Sequence, residues 1–334
     1  MDFSPIVAAI IGFVIAYLLG FIFVPFLKKI HFGQTIRDEG PSWHQKKNGT
    51  PTMGGIIFII ASLVALLLTL CGKTIAGGLQ LQPHKRVAAI ACVMLAVCMG
   101  IIGFVDDYIK VVKKRNLGLT ARQKTFLQLL VSAGFLITLY ISGNTYTFIP
   151  FLGSVDVSQG IGLIYWPIAL FFVYGFVNAV NLTDGVDGLA TSITVVVSAM
   201  FIVLATYFGF TSIWTASLGG ALLGFLIWNA HPAKVFMGDT GSLFLGGAVV
   251  GFSFYIDRPI FLILAGIVYL AEALSVILQV AYYKKTKKRL FKMSPIHHHF
   301  EMCGWSEEKI VIVFSTVAAI FGTIGIILFV YFSK

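Results

Sequence analysis

The chain has 334 residues, of which 58% are hydrophobic and only 11% charged, against roughly 25% charged in an ordinary soluble protein. This composition excludes a disordered chain, a coiled coil and a water-soluble domain. A membrane barrel is excluded too, because barrel strands alternate apolar and polar, whereas this chain stays apolar over whole helix lengths. The net charge of +10 fits basic cytosolic loops and phosphate ligands; it is no argument for nucleic acid.

A membrane-crossing helix needs about 20 apolar residues. In chain order, residues 5–27, 54–71, 87–105, 125–142, 162–180, 188–208, 213–229, 241–256, 259–282 and 310–332 predict about ten such helices. The fold class is therefore an all-α, polytopic integral membrane protein, one domain over 1–334. The first segment is too long for a cleavable signal and reads as a signal anchor. The loops on one side hold 19 Lys and Arg, against 5 on the other, so the richer side is cytosolic. The cytosolic loops are then 28–53, 106–124, 181–188, 229–240 and 283–309, and both termini lie outside. Cys71, Cys92, Cys98 and Cys303 form no CxxC pair; three of them lie in or beside apolar segments and read as small buried hydrophobes.

The acids share one face. Asp106, Asp107, Asp184, Asp187 and Asp239 all fall at cytosolic helix–loop junctions, among lysines. A proton or ion pathway places its acids near the bilayer midplane. Acids at the interface suit Mg²⁺ and a phosphorylated, water-soluble ligand. In GFVDDYIKVVKKR, Asp106 and Asp107 point about 100° apart on a helix, which suggests that one binds or orients while the other acts as base. Two acids at a helix C-terminus also oppose its dipole. In NLTDGVDG, Asp184 and Asp187 would share a face if helical; Asp187 also suits a helix cap. In FMGDTGS, Asp239 suits one ligand of Mg²⁺ or a helix cap, and Phe236 could stack on a base. GTPTMGG at 49–55 lacks the Lys-Ser/Thr ending of a nucleotide-binding P-loop and reads as a helix entry. Three successive histidines in PIHHHFE cannot all face one metal from a helix, so phosphate or sugar contact suits them better than zinc. Glu272 stands inside an apolar segment, where an acid is a functional suspect.

Taken together these stretches resemble the phospho-N-acetylmuramoyl-pentapeptide-transferase family. The resemblance runs from GQTIRDEGPSWHQKKNGTPTMGG through GFVDDYIKV, NAVNLTDGVDGLA, WNAHPAKVFMGDTGSL and ALSVILQV to MSPIHHHFE. The aspartate motifs are shared with a wider superfamily of polyprenyl-phosphate hexose-1-phosphate transferases; GTPTMGG and IHHHFE single out this member. Val186 and Arg122 are conservative departures from its pattern. The resemblance implies transfer of phospho-MurNAc-pentapeptide from UDP to undecaprenyl phosphate, giving lipid I and UMP, with Mg²⁺ as cofactor. It implies a homodimer in the bacterial cytoplasmic membrane. It also implies catalytic roles for Asp106, Asp107, Asp239 and His298, with Asp239 as the Mg²⁺ ligand. Substrate contacts are implied for Lys47, Thr52, Asn181, Asp184, Asp187, Asn229, Phe236, His297 and His299. A secondary transporter is the rival of another class, but it predicts mid-helix acids and matched half-repeats. Only Glu272 fits the first, and no repeat is visible. A UDP-N-acetylglucosamine transferase is the rival within the enzyme class, and the triple histidine argues against it.

Overall fold

The computed structural model describes residues 2–29, 49–75, 78, 82–112 and 117–333. Every predicted segment is a helix: α1 (Ser4–Lys29), α2 (Gly55–Ile75), α3 (Pro83–Val112), α4 (Ala121–Ile141), α5 (Tyr165–Thr183), α6 (Leu189–Tyr207), α7 (Ile213–Asn229) and α8 (Gly238–Tyr255) in order. The ninth is broken at Gly266 into α9 (Phe261–Ala265) and α10 (Ile267–Thr286), and the tenth is α12 (Glu307–Tyr331). The histidine stretch forms a further short helix, α11 (Ile296–Glu301), where the sequence suggested a loop. Among the described residues, eight helices are long and apolar enough to cross a membrane. Large apolar side chains such as Ile10, Phe21, Leu130, Phe171, Ile312 and Ile327 are exposed on their outer faces, a surface suited to lipid and not to water.

α8 is the central helix. All of its residues from Thr240 to Tyr255 are buried, which explains why it tolerates Gly246, Gly247, Gly251 and two serines: it faces protein, not lipid. α3 lies antiparallel against it. Thr240, near the start of α8, meets Asp107, near the end of α3. Midway, the Cys92 thiol donates to the Gly251 carbonyl at 2.9 Å. At the far end the Lys85 ammonium lies 2.6 Å from Asp257, just past α8. A Cβ on Gly247 would sit 2.9 Å from the Ala96 Cα, so only glycine permits this backbone contact. α1 packs through a stripe at every fourth residue, Ala8, Gly12, Ala16, Gly20 and Val24. Cys92 is buried as expected, but Cys71 and Cys303 are exposed.

A hairpin of β1 (Tyr146–Ile149) and β2 (Gly153–Asp156) fills the connection between α4 and α5, with Ile149 opposite Gly153. The backbone N–H of Phe148 donates to the Asp257 carbonyl at 2.8 Å. This ties the hairpin to the end of the bundle that carries Lys85. Phe332, beyond α12, packs on Phe151 of the hairpin with ring centroids 4.2 Å apart. Asp2 pairs with Lys73 at the end of α2, whose opposite end meets the start of α8 through Gly55 and Met237. Asp2 and Phe332 therefore lie at the end of the bundle away from Asp107 and Asp239, the side on which the charge count predicts the termini.

Candidate active site

Asp106, Asp107 and Asp239 converge at the predicted cytosolic end, each offering a carboxylate oxygen within 4.8 Å of the others. α3 runs on past the predicted boundary at 105, so Asp106 and Asp107 sit inside its last two turns with Lys110 one turn further. The two acids diverge, as their spacing predicts. Asp107 Oδ2 accepts from the Thr240 backbone N–H at 2.8 Å and from its hydroxyl at 2.7 Å. Asp107 Oδ1 accepts from the Asp239 N–H at 3.2 Å. α8 has no side-chain cap of its own; Asp107 supplies one from another helix. A carboxylate there meets otherwise orphaned N–H groups and the positive end of the helix dipole, and so fixes the segment carrying Asp239.

Asp106 takes different partners in the same cluster. Its Oδ1 accepts from the Leu119 N–H at 2.8 Å, and its Oδ2 lies 2.6 Å from the Lys110 ammonium. Asp239 Oδ2 is shared by Lys110 at 2.8 Å and Lys124 at 3.0 Å. Its Oδ1 accepts from the Asn181 amide at 2.9 Å, which also donates to Ser242 Oγ at 2.7 Å. Three carboxylates and two ammonium groups thus share one small space. In the sequence, Lys110 and Lys124 are two members of the basic loop 106–124. The placement of Lys110 four residues after Asp106 was the available signal; nothing local placed Lys124.

Among the other expected site residues, Asp184 feels the charges of Asp239 and Asp107, and Thr52 lies beside Gly238. Asp184 follows the last residue of α5 in a turn that ends at Gly188, with φ +73°. The turn is not helical, so Asp184 and Asp187 do not share a helix face. Asp187 Oδ2 accepts from the Ala233 N–H at 3.0 Å and lies 3.1 Å from His231 Nδ1. Its own N–H donates to Glu307 Oε2 at 3.1 Å. It therefore fastens the α5–α6 turn to the α7–α8 loop and to the start of α12 rather than capping α6. Neither His231 nor Glu307 stood out in the sequence. Asn229 is buried, accepting from Thr191 Oγ1 at 2.6 Å and donating to the Val235 carbonyl at 3.0 Å. Thr52 is buried where Pro51–Gly55 pairs with Phe236 and Met237 through backbone hydrogen bonds of 2.8–3.0 Å. GTPTMGG is thus a packing junction against the loop that leads into α8. Phe236 is half-buried in that loop. Lys47 lies outside the described residues.

The three histidines diverge. His297 is fully buried. His298 Nδ1 lies 2.6 Å from Glu301 Oε2. His299 Nδ1 accepts from the Lys292 N–H at 3.2 Å, and its ring meets Phe291 at 5.8 Å. They serve three environments, in line with the argument against a shared zinc ion.

Burial and the charges of Asp239, Asp107 and Asp187 push the Asp184 carboxyl up to about 8. An unfolded chain releases that proton near pH 4. Between those values the folded protein holds more protons than the unfolded one, so stability falls as pH rises. In metal-free protein, Asp184→Asn is expected to flatten the fall in melting temperature between pH 5 and pH 9 and to be the more stable form at pH 9. Parallel melting curves for the two proteins would contradict this.

Residues 89–257 match the family model described as glycosyl transferase family 4, and residues 47–59 match signature 1 of phospho-N-acetylmuramoyl-pentapeptide-transferase. The chain is 47% identical over 324 residues to the phospho-N-acetylmuramoyl-pentapeptide-transferase of Clostridium perfringens strain SM101, covering 96% of this chain and 95% of that one. It is 45% identical over 326 residues to the protein of the same name from Bacillus mycoides, covering 96% of both chains. It is 45% identical over 322 residues to that of Clostridium botulinum strain Eklund 17B, covering 96% of this chain and 95% of that one.

Proposed function

Because the chain belongs to the phospho-N-acetylmuramoyl-pentapeptide-transferase family, we propose that it forms lipid I and UMP from UDP-MurNAc-pentapeptide and undecaprenyl phosphate. The reaction takes place at the cytosolic face of a bacterial cytoplasmic membrane. The observation that carries this reading is the meeting of Asp106, Asp107 and Asp239 with Lys110 and Lys124 at one mouth of the bundle. Both reactants are anionic, so catalysis must offset phosphate–phosphate repulsion while fixing the attack geometry.

The donor set suits Mg²⁺, which prefers carboxylate oxygen and keeps room for water and phosphate. Asp107 is tied to backbone N–H groups of α8, whereas Asp239 Oδ2 is held by the exchangeable side chains of Lys110 and Lys124, so Asp239 would be the ligand and Asp107 its support. When bound, Mg²⁺ neutralises charge on the transferring phosphates and the departing UMP. Lys110 and Lys124 add two positive charges beside Asp239. Asp106 is the general base for the lipid phosphate, held by the Leu119 N–H and Lys110. Asn181 orients Asp239, and His298 and His299 contact the phosphates with Lys47. Asp184, Asp187, Thr52, Asn229 and His297 shape the nucleotide side from within the loops. The protein works as a homodimer. Glu272, the mid-helix acid that a transporter would use, is instead paired with His297, a residue of the expected site.

The test is purified protein with UDP-MurNAc-pentapeptide, undecaprenyl phosphate and Mg²⁺: lipid I and UMP are expected in equal amounts. A companion prediction concerns the base. Phe236→Ala is expected to weaken UDP binding by about 1–3 kcal/mol, the scale of base–aromatic stacking. A calorimetric titration with unchanged UDP affinity would remove the stacking role.

A further inference from the structure

Glu272 and His297 are both fully buried and belong to different elements, α10 and α11. Glu272 Oε2 lies 3.0 Å from His297 Nδ1 and 3.4 Å from the His297 backbone N–H. A carboxylate only accepts, so this contact calls for a ring proton on Nδ1. Among the described residues, neither Nε2 nor Glu272 Oε1 has a hydrogen-bond partner. Nε2 faces the backbone of Gly185: a Cβ built there would lie 2.2 Å from it. The imidazole is therefore wedged under the turn that carries Asp184 and Asp187. Its other flank meets His298 with ring centroids 4.1 Å apart. His298 in turn is held through Nδ1 by Glu301, itself buried.

An acid and an imidazole in an apolar helix bundle are costly unless each satisfies the other. A carboxylate behind an imidazole also fixes ring orientation and tautomer. We propose that Glu272 is a positioning residue of the transfer reaction: through His297 it sets the height of the turn at Gly185 and the plane of the His298 ring. The inference rests on the phosphosugar-transfer reading above. Glu272 touches no substrate, and its effect passes through one buried ring.

The test pairs Glu272→Gln with Gly185→Ala, because the alanine Cβ pushes on the ring from the opposite side. Glu272→Gln keeps the shape and removes the charge. It is expected to lower kcat by about 10–100-fold, the range for outer partners of functional imidazoles. The KM for the UDP-sugar should change less than about threefold, and the melting temperature should hold. Gly185→Ala should show the same defect, and the double variant should be no worse than the poorer single one, since both act on His297. Wild-type kcat in Glu272→Gln, or losses that multiply in the double variant, would overturn the proposal while leaving the transferase reading intact. Absence of lipid I from the wild-type protein would instead strike that reading. A turnover-independent measurement is the nitrogen-15 spectrum of the His297 ring, which should show the proton on Nδ1. A ring protonated on Nε2 and bare on Nδ1 would overturn the proposal by itself.

Discussion

Asp239→Asn is expected to reduce turnover by about 10³-fold or more, the upper range for loss of one preorganised electrostatic group. Asp239 Oδ1 already accepts from Asn181, and Oδ2 holds Lys110 and Lys124 together. An amide can keep the first contact, because its oxygen still accepts. Its NH₂ then faces two ammonium groups, and the anionic oxygen best placed for Mg²⁺ is gone. One carboxylate is a large share of a protein's hold on that ion. The fold should survive, because Asp107 accepts from the backbone N–H groups of residues 239 and 240 whatever side chain stands at 239. The measurement is turnover against Mg²⁺ concentration, with a melting curve as control. Near-wild-type turnover at limiting Mg²⁺ would refute the assignment.

The helices were legible because apolar length is a one-dimensional signal. Each of the segments read from hydropathy is helical among the described residues, differing only at the ends and at the break by Gly266. The hairpin at Tyr146–Asp156 was not legible: its strands are four residues each, too short for alternation to rise above a loop. The acids were legible as a group, since the positive-inside count placed their loops on one face. Their division of labour was legible only as an angle. The role of Asp107 depends on Thr240, 133 residues away, and no local pattern encodes that contact. Asp187 shows the same limit: both a helix cap and a substrate contact were sensible local readings. Its partners His231 and Ala233 belong to a loop reached only after α6 and α7 have crossed the bundle. Glu272 was visible as an anomaly, and its partner His297 as part of a motif, but their pairing required the fold.

Asp106→Asn is expected to lose most activity at neutral pH and to recover part of it as pH rises. The structure separates this acid from its neighbour: Asp107 is committed to α8, whereas Asp106 keeps one oxygen on the Leu119 N–H and the other on a lysine side chain. A lysine contact can be exchanged without unfolding a helix end, which favours Asp106 over Asp107 as the proposed base. The lipid phosphate loses its second proton near pH 6 if it behaves as a phosphoserine does, so a base matters most at and below neutrality. In the Asp106→Asn variant the amide oxygen can still accept from Leu119, and Asp239, the proposed metal ligand, is untouched. What is lost is the proton acceptor, and hydroxide can replace it in part at high pH. A covalent route through an aspartyl-phosphate predicts otherwise. The asparagine enzyme would then be dead at every pH, and the wild type would exchange labelled UMP into the UDP-sugar with no lipid present. The pH–rate profile of the variant and the exchange assay therefore decide together. Rescue at high pH with no lipid-independent exchange is the expected pair; exchange without rescue would make Asp106 the nucleophile.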